Sequence, residues 1–86
     1  MKTVLLDGGD RREEIFRRLA AHLGFARPSN LDALWDRLRV DARGPFEIVW
    51  RDHAQARAEL GEEFERLDEI FRRLVAERRD VRVTFV

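Results

Sequence analysis

Ser29-Asn30-Leu31-Asp32-Ala33-Leu34-Trp35-Asp36-Arg37-Leu38-Arg39 is the stretch on which the reading of this chain turns. Leu31, Leu34, Trp35 and Leu38 recur at i, i+3, i+4 and i+7, which predicts a helix with one apolar stripe turned to a core. Ser29 or Asn30 opens it, since either side chain can accept from the unpaired N–H groups of the first turn. Asp32 and Asp36 project four residues apart from the outer face, with Arg37 and Arg39 as the only nearby cations. Like charges at this spacing cost an isolated helix about 0.2–0.5 kcal/mol. Asp32 recovers part of that from the helix dipole in the first turn. Asp36, in mid-helix, does not. The spacing is that of two solvated surface acids, or of a pair that a cation from outside the chain is meant to meet.

Outward from this helix the chain reads as alternating strands and helices. Upstream, Thr3 to Leu6 is a short apolar run ended by Asp7-Gly8-Gly9, a buried strand and a turn. Asp10, with Glu13 three residues on, predicts a capping box for a helix whose stripe is Ile15, Phe16, Leu19 and Leu23, with Gly24 just past its end. Pro28 biases Arg27 away from helix. Downstream, Gly44-Pro45 signals a loop before Phe46-Glu47-Ile48-Val49-Trp50, a strand rich in β-formers. Arg51 to Leu60 returns to helix with Asp52 as cap, and Gly61 breaks it. A last helix runs from about Glu62 to Arg78 on a stripe of Phe64, Leu67, Phe71, Leu74 and Val75, with Arg72, Arg73, Arg78 and Arg79 toward its end as the dipole prefers. Val81 to Val86 alternates as a third strand. The order β-α-α-β-α-α-β, with helical crossovers between strands, predicts a single α/β domain over residues 1–86: a three-stranded parallel sheet covered by helices.

Composition narrows the function. With 86 residues the chain can bury a core without staples. It has no cysteine, and its two histidines, His22 and His53, stand far apart with no zinc-site spacing, so no metal and no cofactor is expected. The opening run is too short for a secretory signal and no stretch is long enough to cross a bilayer, so a cytoplasmic location without membrane attachment is expected. The 17 basic and 17 acidic residues cancel, so direct nucleic-acid binding through overall field is not expected and any electrostatic partner must meet a local patch. The terminal arginines could form an RNA footprint, but their place at a helix end explains them more simply. His53 beside Asp52 has no nucleophile or phosphate loop to join it, and reads as a lone surface histidine; no catalytic constellation is present.

The heptapeptide Asn30-Leu31-Asp32-Ala33-Leu34-Trp35-Asp36 resembles the barstar family, intracellular protein inhibitors of barnase-type bacterial ribonucleases. The likeness extends through Pro45, Trp50-Arg51, Phe71-Arg72 and Asp80 to the closing strand. The resemblance implies this same element order and a non-enzymatic inhibitor, monomeric when free. Its partner would be a small basic ribonuclease, whose active site an acidic helix blocks in place of substrate phosphates. It implies Asp36 as the central inhibitory carboxylate, Asp32 as its helical companion, Asn30 as a residue that caps or binds, and Glu77 as a peripheral acid. Trp35 belongs to the matched heptapeptide and to the partner-binding set, although the stripe it lies on reads first as core. The chain departs from the family pattern at Ala26, Arg27 and Pro28, where aromatic anchors and a glycine would stand, at Val40-Asp41, and at Arg73, which replaces an acid. Those departures leave room for a second reading, a barstar-like interaction module that binds a protein other than a nuclease.

Overall fold

The computed structural model describes residues 1–86, in the order β1 (Lys2–Leu6), α1 (Arg12–Leu23), α2 (Leu31–Asp36), a π-helical turn (Arg37–Asp41), β2 (Phe46–Trp50), α3 (His53–Leu60), α4 (Glu62–Glu77) and β3 (Val81–Phe85). The three strands form one sheet in the order β1-β2-β3, and both pairings are parallel. Lys2 to Leu6 pair with Phe46 to Trp50, and these with Val81 to Phe85, without offset. The protein is therefore an α/β domain with a parallel open sheet and four helices.

In-register pairing puts the side chains of alternate residues into rows. Val4, Ile48 and Val83 make one row, and Leu6, Trp50 and Phe85 the next, on the side where the core lies. The opposite side is left to water: Thr3, Leu5 and Arg82 are exposed, and Glu47, Val49 and Thr84 half-buried. The first apolar run is thus buried only at every second residue. Against the packed rows stand Ile15, Phe16, Leu19 and Leu23 of α1, Leu34 of α2, and Phe64, Leu67, Phe71 and Leu74 of α4. Trp50 is fully buried at their centre, with the rings of Phe64, Phe71 and Phe85 at 5.0, 5.9 and 6.2 Å. Its indole N–H donates to the Asp7 carbonyl at 3.4 Å.

Some ends of the helices follow expectation and some do not. Gly24 closes α1 at φ 75°, its N–H bonded to the Ala20 carbonyl. Asp10, however, caps nothing: its Oδ2 accepts from the Asp7 N–H at 2.8 Å, Arg11 occupies the cap position, and the capping box with Glu13 does not form. A short acid in a turn competes for nearby backbone N–H groups, and here the turn wins. Asp52 likewise makes no side-chain cap; it sits in the left-handed region at φ 52°, a conformation Asp tolerates, and its carbonyl receives the N–H groups of Gln55 and Ala56. Gly61, at φ 58°, breaks the chain between α3 and α4. The last turn of α4 holds no cation, because Arg78 and Arg79 lie beyond its end.

Candidate functional site

The acidic helix is shorter than its sequence pattern and ends in an unusual way. Asn30, in extended conformation, opens α2 by accepting the Ala33 N–H on its Oδ1 at 2.7 Å. Of the two roles open to this side chain, its oxygen takes the cap. Leu34 and Leu38 are fully buried, Leu31 and Trp35 half-buried against the core. After Asp36 the helix widens by one residue per turn: the Ala42 N–H reaches the Arg37 carbonyl, five residues back, at 2.9 Å. Single π-helical turns of this kind recur beside functional sites.

Arg78 holds this turn in place. Its side chain is only 16% exposed, and one terminal nitrogen donates to the carbonyls of Leu38 at 2.8 Å and Ala42 at 2.7 Å. The rest of the guanidinium grips Asp80 by two bonds of 3.0 and 2.8 Å and lies over the Phe46 ring at 5.3 Å. The Arg78 hydrogen bond holds the Asp80 carboxyl below its ordinary value of 3.8. A residue that reads as one more helix-end cation is the clasp joining the π turn to β2 and β3.

The carboxylates of α2 point outward. Asp32 is exposed and has no ion pair or hydrogen bond within the chain. Asp36 is 65% exposed, and its one neighbour is Arg39 at 3.9 Å, beyond hydrogen-bond reach. Arg37, the other adjacent cation, is directed elsewhere, to Asp41 at 3.5 Å and the Ala26 carbonyl at 3.4 Å. Glu77 is a third free acid, exposed at the C-terminal end of α4 where the dipole disfavours it. It comes from a different helix, but α4 packs against α2 and the π turn. The arrangement offers exposed negative charge that an external cation can reach by displacing at most the long Arg39–Asp36 ion pair.

Trp35 is half-buried, as its stripe predicts, and its ring carries the Arg73 guanidinium at 4.6 Å and that of Arg39 at 5.9 Å. Beside it, Asn30, Asp32, Arg66 and Arg73 line a cleft of about 450 Å³ between α2 and α4. Sequence reasoning missed Arg66 and Arg78. The seven-residue spacing of Arg66 and Arg73, which places both on one face of α4, was the available signal for the first; nothing local marked the second.

The other candidates resolve into structure. Arg72 is bound to the buried Asp68 at 3.1 Å and Arg78 is internal, so the terminal arginines do not form one row on the surface. His53 is half-buried rather than a surface residue, its Nδ1 3.0 Å from the Val86 carbonyl and its ring edge-on to Phe85. Asp7 accepts from Arg51 at 2.8 Å, and that bond, with help from Arg18, keeps its carboxyl below 3.8. No three His, Asp or Glu residues converge as metal ligands, and no helix is long and apolar enough to cross a membrane.

A search of individually curated proteins gives no match. The family model described as Barstar (barnase inhibitor) matches residues 1–86, the whole of the chain described above. With that match, and with the three parallel strands and four helices that accord with it, the chain belongs to the barstar family.

Proposed function

We propose that this protein inhibits a ribonuclease by seating the outer face of α2 in the nuclease active site, where Asp32 and Asp36 occupy the positions of substrate phosphates. The observation that carries the reading is the state of Asp36: exposed at the end of α2, free of any hydrogen bond of its own, and only loosely paired with Arg39 at 3.9 Å. A ribonuclease must hold phosphates, so its cleft is lined with cations, and a pre-set carboxylate neutralises them at little cost in ordering. Opposed charges also speed encounter, more so at low salt. Glu77, exposed at the C-terminal end of the helix that packs on α2, would be a peripheral contact in this reading. The domain needs no cofactor for this action and performs no chemistry of its own.

The test is an RNA-cleavage assay with barnase as probe, with and without the chain. Asp36→Ala leaves cations of the partner unpaired, an effect that typically costs about 2–5 kcal/mol of binding, whereas Glu13→Ala on α1 is expected to leave inhibition unchanged. With the unsubstituted chain inhibiting cleavage, equal effects of the two substitutions would remove the mechanism.

The missing aromatic anchors at Ala26, Arg27 and Pro28 favour a second reading, in which the same face binds a protein other than a nuclease. Under it, the chain captures a partner through Asp36 and leaves cleavage of RNA untouched.

A further inference from the structure

The acids of α2 do not stand alone. In the cleft that α4 forms beside them, Arg66 and Arg73 are two cations without any ion pair or hydrogen bond to their own chain. Lys2, Arg11, Arg43, Arg79 and Arg82 are unpaired as well, but of the unpaired cations only Arg66 and Arg73 line the cleft. The third arginine lining the cleft, Arg12, is held by Glu63 at 3.2 Å. Arg73 is nonetheless not loose, because its guanidinium lies 4.6 Å over the Trp35 ring. A guanidinium that rests its flat face on an aromatic ring keeps the N–H groups around its edge available, already oriented for a planar, two-oxygen acceptor. Less rotamer freedom then remains to be lost on binding.

Resting on the inhibitor reading above, we propose that Arg66 and Arg73 form a second recognition patch, of opposite sign to Asp32 and Asp36. It receives a carboxylate of the partner protein while the partner's cations meet the aspartates. The ligand is a protein acid rather than an RNA phosphate, because Asp32 and Glu69 line the same cleft and repel a chain of like charges. A protein surface can set a carboxylate against the arginines and a base against Asp32 within a few ångströms; a polyanion cannot. The patch therefore acts on specificity. It favours a partner with mixed charge around its active site and disfavours one whose whole rim is cationic, since like charges facing each other across an interface are strongly unfavourable.

Barnase serves as the probe of a nuclease face built for a polyanion. Affinities of the wild-type chain, Arg66→Glu/Arg73→Glu and Asp36→Ala are measured by titration calorimetry at low and at physiological salt, with circular dichroism to confirm that each is folded. The double reversal is expected to bind barnase at least about tenfold more tightly than wild type, with the difference shrinking as salt rises. No gain from the reversal, whether wild type binds or not, would overturn the inference. If Asp36→Ala weakens binding while the double reversal has no effect, the phosphate-mimic reading stands and only the arginine patch falls. A single-stranded RNA oligonucleotide that binds wild type and is lost on the double reversal would also overturn it, assigning the arginines to phosphate.

Discussion

Replacing Arg78 by Met asks how much of the acidic helix depends on one side chain beyond the end of α4. Met keeps an unbranched apolar stem and opens no large cavity, so the change is mainly the loss of the guanidinium. Two carbonyls lose a charged donor, those of Leu38 and Ala42, both in buried residues. Leaving a buried acceptor unsatisfied costs roughly 1–3 kcal/mol. Water can reach the exposed part of the site, so a combined loss of about 2–4 kcal/mol is expected. The pair with Asp80 is left out of this figure because that carboxylate is open to solvent. For a domain of this size the loss corresponds to a fall in Tm of about 10–25 °C. Thermal and urea unfolding followed by circular dichroism measure it, with Arg73→Met, an exposed cation, as the control expected to lose less than about 1 kcal/mol. Arg78→Lys is expected to recover less than half, since an ammonium cannot bridge both carbonyls and Asp80. If Arg78→Met loses no more than Arg73→Met, the clasp is not what holds the π turn.

Gly44→Ala tests the same clasp from the other side: a methyl group there overlaps the Asp80 carboxylate, whereas one at Gly9 meets nothing closer than Gln55 at 3.8 Å, so the first is expected to lower Tm well below the second. Asn30→Ala removes the cap of α2 and is expected to cost about 1 kcal/mol in urea unfolding, with Asn30→Asp retaining most of it. Asp7 and Asp80 have carboxyls lowered in the folded state by Arg51 and Arg78, so the stability they contribute is complete above their ordinary value of 3.8 and is lost as the pH falls below it. Arg51→Gln is expected to flatten the acid limb of a stability–pH profile in that range; an unchanged slope would refute the assignment.

Local pattern was enough wherever the physics is local. The strand Phe46–Trp50 coincides with its run of β-formers, Gly24 lies where a left-handed cap is needed, and Phe64, Leu67, Phe71 and Leu74 of the α4 stripe pack as expected, whereas Val75 is exposed and Asp68 is buried in the same helix. The order of elements carried the parallel sheet, because strands joined by helices have few other ways to pair. What escaped are choices between two local options and contacts across the chain. Asp10 is as good a cap as Asn30 by residue type, but one closes a turn and the other a helix. The π turn follows from where Arg78 can reach, 36 residues away from Ala42, and no periodicity encodes that. At the site, the outward aspartates were legible from spacing and from the heptapeptide, while the opposed arginines required knowing that α4 lies alongside α2.

That two carboxylates of α2 stand in for phosphates is tested most directly by competition. A non-cleavable oligonucleotide is bound to barnase, and the chain is titrated into the complex. Mutual exclusion is expected, the apparent affinity of the chain falling in proportion to the nucleotide already bound, with the effect lost in Asp32→Asn/Asp36→Asn. A ternary complex, in which oligonucleotide and chain sit on the nuclease together at undiminished affinity, would contradict the account.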